Sequence, residues 1–125
     1  MQGAARLFFA LAIVYAIAGM LLGLSMAISH NHQQMPTHAH IMLAGWVSSA
    51  IFAFFYHLFA GIGQSRLASV HFWLQAVSGV VLVVSLYFMI AGNEAIEPIT
   101  ATASMAYLAG VLLFAWIVLP VLRKS

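Results

Sequence analysis

The sequence predicts an all-α integral membrane protein, a four-helix bundle with short loops and both termini on the cytoplasmic side. Three observations predict it. Sixty-five per cent of the 125 residues are hydrophobic and 5% are charged, whereas soluble domains run at about half apolar and about a quarter charged. Four apolar runs each reach the ~20 residues that cross a bilayer at helical rise. The formally charged residues (Arg6, Arg66, Arg123, Lys124, Glu94 and Glu97) all fall between or beyond those runs. These proportions exclude a water-soluble enzyme, a disordered tail and a nucleic-acid module. The absence of cysteine further excludes a disulfide framework, thiolate metal sites, thiol catalysis and haem attachment through Cys-x-x-Cys-His.

The first run, Leu7 to Ser29, carries a stripe of small residues, Ala12, Ala16, Gly19, Gly23 and Ala27. Within it Gly19 and Gly23 form a small-xxx-small pair that admits a neighbouring helix. The run is longer than the ~7–15 residues of a signal-peptide core, so Ser25-Met26-Ala27 is read as helix and not as a cleavage site. The second run, His38 to Gly61, follows Pro36, a residue suited to a first helical turn. The third, Ser69 to Ala91, repeats His71, Gln75, Ser78, Gly79 and Ser85 at helical spacing. That polar stripe should face the bundle interior, because lipid offers no hydrogen-bond partners. The fourth, Pro98 to Leu122, has its own small face at Ala106, Ala109 and Gly110. Such faces serve helix packing within one chain or in a homo-oligomer. The breaks, His30 to Thr37, Ile62 to Ala68 and Gly92 to Glu97, are all short, so residues 1–125 form a single transmembrane domain.

Charge orients the bundle. Arg6, Arg66, Arg123 and Lys124 belong to the N-terminus, the second loop and the C-terminus, which share one side of an alternating four-helix chain. Positive residues favour the cytoplasmic side, which puts both termini inside a bacterial-type inner membrane.

Six histidines outnumber the charges of either sign. Polar groups at membrane depth are costly and mark function by default. His30, His32, His38 and His40 cluster with Met35 at the outer end. Two residues of α-helix turn through roughly 200°, so His38 and His40 point to opposite faces and cannot chelate one ion together. They suit two ligands on two sides of the helix, or one ligand and one interhelical hydrogen bond. Neutral imidazole binds iron, copper and zinc, and an axial histidine within apolar walls suits haem iron. Gly45 and Ser49, below His38, leave space for a flat ring. Water and headgroup hydrogen bonding is the plainer alternative. For His30 and His32, a loose copper or zinc site competes with solvated loop residues. His57 and His71, near the inner ends of the second and third helices, are expected to hydrogen-bond each other; a proton path or second haem is the alternative. Glu94 and Glu97 are loop residues, poorly placed for acid–base work.

The stretch Thr37-His38-Ala39-His40 through Gly45 to Ala53-Phe54-Phe55-Tyr56, then Leu67-Ala68-Ser69-Val70-His71-Phe72-Trp73-Leu74, resembles subunit I of the haem-copper oxidases and nitric oxide reductases. It is similar also to small four-helix proteins of that superfamily with a His-Ala-His…Gly-Trp helix. The resemblance covers about residues 36 to 92. It implies that His38 matches the high-spin haem ligand and His40 the low-spin one. The His of His-Phe-Trp is not a haem ligand in the family, which favours a structural role for His71. The family's copper ligands, a His-Pro-x-x-x-Tyr helix and a His-His pair, do not occur here. Complete oxygen reduction is therefore not expected. A second axial ligand has to come from His30, His32 or another copy of the chain, which implies an oligomer.

The sequence thus leads to a membrane protein binding b-type haem near its outer face, at His38 and His40 with Gly45 beside them. Electron transfer or binding of a diatomic gas such as NO or O2 is the expected activity. A copper- or metal-handling protein, or an accessory or assembly subunit of a respiratory complex, is the alternative.

Overall fold

The computed structural model describes residues 1–124. Among them the regular structure is helical, with four helices long and apolar enough to cross a membrane. These are α1 (Gly3–Ser29), α2 (Met35–Leu58), α3 (Arg66–Ile90) and α4 (Glu97–Lys124). A short turn of helix, Ala60–Gly63, joins α2 to α3, and a 3₁₀ turn, Glu94–Ile96, leads into α4. Three of the helices start a few residues earlier than the apolar runs suggest, and α4 one residue earlier. The difference has a simple cause: the apolar runs are bounded at the charged and turn residues, whereas the helices continue through Arg6, Thr37, Arg66 and Glu97 into their first turns.

The caps explain where each helix stops. At α3 the Ser65 hydroxyl accepts from the Ala68 amide at 3.1 Å, satisfying one orphan donor of the first turn. At its far end Gly92 takes a φ of 121°, open to glycine without a Cβ clash. There the Gly92 amide donates to Met89 O at 3.2 Å and the Asn93 amide to Phe88 O at 3.0 Å, the paired bonds of a Schellman termination. Two further carbonyls of this end are met from the first loop. Gln34 Nε2 donates to Tyr87 O and Gln33 Nε2 to Ile90 O, each at 3.0 Å. Pro36 occupies the first turn of α2 and Pro98 the first turn of α4, where a missing amide hydrogen does no harm.

α1 packs mainly along α2, and α3 along α4, while α1 and α2 also touch α3. The expected polar stripe does face inward: His71, Gln75, Ser78, Gly79 and Ser85 are all buried. The small stripe of α1 is used within the chain. Ala12, Ala16 and Gly19 are buried, and a side chain at Gly19 would run into Ile41 and Met42 of α2. Packing is uneven along the bundle. The half nearer the chain termini, the inner half by the expected topology, holds a dense cluster built from Ala5, Phe8, Phe52, Tyr56, Phe72 and Ile117 among others. The outer half has a smaller one around Tyr15, Ile41 and Val83.

Arg6 and Arg66, with Arg123 and Lys124, lie at one end, and Gly3 abuts the Gly63 carbonyl there. The histidine-bearing first loop meets the α3 terminus at the other end.

Candidate functional site

The outer site is built on the first turns of α2. His38 is half-buried against α1, with Nδ1 2.8 Å from the Gly19 carbonyl oxygen. Gly23, one turn further along α1, lets the imidazole approach: a Cβ there would lie 2.9 Å from His38 Cε1. The Gly19-xxx-Gly23 pair thus serves the histidine as well as the helix contact. His40 is exposed, with Nδ1 2.7 Å from the Pro36 carbonyl oxygen one turn earlier. A carbonyl only accepts, so in both rings Nδ1 carries the proton, and the neutral imidazole keeps its lone pair on Nε2. Neither Nε2 has a hydrogen-bond partner among the described residues. A metal-binding histidine is normally fixed in this way, through the other ring nitrogen. As expected from helical geometry, the two rings leave the helix on different sides, one toward α1 and one outward.

The remaining outer residues do not assemble around them. His30 ends α1 with a φ of 55°, a left-handed conformation that histidine tolerates better than most residues. His30, His32 and Met35 are exposed, and neither His30 nor His32 has a side-chain hydrogen bond among the described residues. No group of three or more histidines and carboxylates that could hold one metal ion exists among the described residues. A copper cluster of His30, His32, Met35 and His38 is therefore not formed within the chain.

Gly45 corrects a second expectation. The space beside it is filled by the Tyr15 ring from α1, which a Cβ at position 45 would strike. The small residue admits a neighbouring side chain, so no slot for a flat macrocycle opens below His38. A groove of about 330 Å³ runs nearby, between Val14, Tyr15, Thr37, Ile41, Val83 and Tyr87. A larger one of about 610 Å³ lies between α3 and α4, along Val77, Ser78, Ile99 and Ala106. Neither has a histidine in its wall.

One feature beside the site was not legible in the sequence. Directly after His40, residues Ile41–Val47 form a π-helix within α2, a wider turn that is rare and often found at functional sites. Side chains take up carbonyls along it. Ser48 Oγ donates to Leu43 O at 2.8 Å, and the Tyr107 hydroxyl of α4 donates to Ala44 O at 2.6 Å. The run is apolar on all sides, so no periodicity announced the change of pitch.

The inner histidines also depart from expectation. His57 is exposed and has no partner among the described residues. His71 is fully buried and pairs instead with the preceding residue of α2: Tyr56 Oη lies 2.8 Å from its Nδ1. One residue of α-helix turns through about 100°, which puts Tyr56 inside and His57 outside. The rings of Phe8, Phe52 and Phe114 surround His71 at centroid distances of 5.0, 4.8 and 5.3 Å.

Comparisons with protein-family models, with curated proteins and with solved structures found no match.

Proposed function

We propose that this protein binds b-type haem at its outer face through His40, with His38 the alternative ligand on the other side of the helix, and that it is related to subunit I of the haem-copper oxidases. One observation carries the reading: both imidazoles tie Nδ1–H to a backbone carbonyl and leave Nε2 bare. That is the donor state an axial ligand needs.

The donors fit the group, whereas the room within one chain does not, since Tyr15 occupies the space beside Gly45. His40, exposed on the outward side of α2, would hold the ring there. A second ligand, were one needed, would come from a second copy of the chain or a respiratory-complex partner. The residues of this chain orient and retain. Pro36 O and Gly19 O hold the two imidazole protons, and Gly23 sets the depth of His38. Haem iron supplies reversible one-electron transfer when two histidines bind it, and gas binding when one position is free.

In this reading the chain sits in the inner membrane of a bacterial-type cell with both termini cytoplasmic, because Arg6, Arg66, Arg123 and Lys124 share one end. The histidines then face the outer side. Oxidised and reduced optical spectra of protein purified from haem-replete cells test the proposal. A Soret band that shifts on reduction, and that is lost in His40→Ala, is expected. A colourless protein overturns it. Stoichiometric copper without iron would identify a metal-handling protein, and neither metal would identify an accessory or assembly subunit.

A further inference from the structure

The widened turn of α2 has a hydrogen-bonding defect that a residue of another helix repairs. The Ile41 amide donates to carbonyls three and four residues back, His38 O and Thr37 O. By Ser48 the spacing has grown: its amide donates to Leu43 O, five residues back, and is shared with Gly45 O. From Ser48 onward the chain is α-helical again. A helix returning from five-residue to four-residue spacing skips one carbonyl, which is left without an amide donor. Here that carbonyl is the one after Leu43, Ala44 O. It is this oxygen that the Tyr107 hydroxyl of α4 meets, at 2.6 Å. Within a bilayer no water stands in for such a donor. Two glycines make room beside it. Gly45 admits the Tyr15 ring from α1, and a Cβ on Gly79 of α3 would lie 2.8 Å from Tyr15 Oη and 3.5 Å from Tyr107 Cε2. Two tyrosines thus converge beside the turn, and all four helices meet there.

We propose that Tyr107 is a positioning residue for the outer histidines. By supplying the donor that Ala44 O lacks, it keeps α2 in the widened register, and that register sets the direction in which His38 and His40 leave the helix. In an unbroken α-helix the Ser48 amide bonds Ala44 O, four residues back, and no carbonyl is skipped. The widened register is therefore the better one only while the Tyr107 hydroxyl serves that oxygen. The two registers differ by one residue of rotation, about 100°, between the first turns of α2 and the segment Ser48–Leu58. That segment is seated by Ser49, Phe52, Ala53 and Tyr56, all buried, so the rotation falls on the turns that carry the histidines. In the widened register His38 Nδ1 reaches Gly19 O across Gly23, and His40 is exposed. A turn of about 100° takes His38 off that carbonyl. α4 thus acts on the outer site through one hydroxyl, without touching either imidazole. This goes beyond the haem reading, since it names what aims the two rings whatever they bind.

The test uses the full chain in lipid nanodiscs, read by solid-state NMR. Isotope labels are placed on the Ser48 amide nitrogen, the Leu43 and Ala44 carbonyl carbons and the histidine rings. In the unmutated chain the Ser48 amide should pair with the Leu43 carbonyl, and pairing with Ala44 there overturns the proposal before any variant is made. Tyr107→Phe keeps the ring and removes only the hydroxyl. It should move the Ser48 pairing to Ala44 and shift the ring-nitrogen signals of both His38 and His40. Tyr56→Phe removes a buried hydroxyl elsewhere in the bundle and is the control: it should lower Tm and leave the pairing and both ring signals in place. An unchanged pairing in Tyr107→Phe overturns the proposal, whatever its Tm. So does a changed pairing with the His38 and His40 signals unmoved, or a change that Tyr56→Phe reproduces. A colourless protein would end the haem reading and leave every one of these readouts intact.

Discussion

At the outer end, His38 and His40 each anchor one ring nitrogen on a main-chain carbonyl and leave the other without a hydrogen-bond partner among the described residues, on a half-buried and an exposed side chain respectively. In the inner half, His71 sits under three phenyl rings with a tyrosine on one nitrogen. The same residue type is thus presented in one place and enclosed in the other. The difference follows from what surrounds each. Glycines and helix carbonyls at the outer end offer close backbone approach with little side-chain bulk. The inner end is filled by aromatic residues from α1, α2 and α4. Presentation suits a ligand that arrives from outside the chain, and enclosure suits a fixed internal contact. Stability should therefore reside in the inner half and cofactor chemistry in the outer.

The largest effect should come from the centre of the enclosed half. Phe8 is fully buried, and its ring lies 5.2 Å from Phe52, 5.9 Å from Tyr56 and 5.0 Å from both His71 and Phe72. Phe8→Ala should destabilise the protein by about 3–5 kcal/mol, through lost contacts and the cavity left behind. Denaturant-induced unfolding in mild detergent reads it. A loss below about 1 kcal/mol, the central tendency of ordinary substitutions, would break the contrast between the halves. Tyr56→Phe is the next step down, because it keeps the ring and removes only the partner of His71 Nδ1. Leaving that buried nitrogen unpaired costs about 1–3 kcal/mol. His57→Ala, on the exposed neighbour, should be neutral within about 0.5 kcal/mol.

The pair Tyr56 and His57 shows how far the sequence can be read. Helix number, approximate limits and the common end of the cations follow from apolar length and charge, which are one-dimensional properties. The inward stripe of α3 was legible too, because polar residues recurring at helical spacing leave only one place to go. Which residue of α2 meets His71 was not legible. α2 is apolar nearly all round, so its rotation is set by how Phe52 and Tyr56 seat against Phe8 of another helix. Gly45 failed for the same reason. A glycine in sequence reads as empty space, and only the neighbouring helix tells that Tyr15 fills it. The π-helical turn had no signal for a related cause: the groups that support it, Tyr107 above all, lie far away in sequence.

A smaller effect is expected where the outer loop is tied down. Gln34 donates to Tyr87 O at 3.0 Å and accepts from Thr37 Oγ1 at 2.7 Å. Thr37 is itself buried, and it directly precedes His38. Gln34→Ala removes both bonds, at roughly 0.5–1.5 kcal/mol each. Faster amide exchange in Met89, Ile90 and Ala91 would report the freed end of α3. An unchanged exchange rate there, with unchanged Tm, would mean that the loop is held by other contacts.

The smallest structural effect should accompany the largest functional one, and His40 is the place to look for that separation. Its ring is exposed, and its one side-chain hydrogen bond among the described residues is with Pro36 O in its own helix. No neighbouring helix depends on it. His40→Ala should therefore change stability by no more than about 0.5 kcal/mol, as for other surface positions, while removing the accessible Nε2. Loss of the Soret band with an unchanged unfolding midpoint is the expected result. Loss of both together would make His40 a structural residue. An intact spectrum would move the ligand to His38, whose ring packs on Gly23, and there His38→Ala should depress Tm as well as colour.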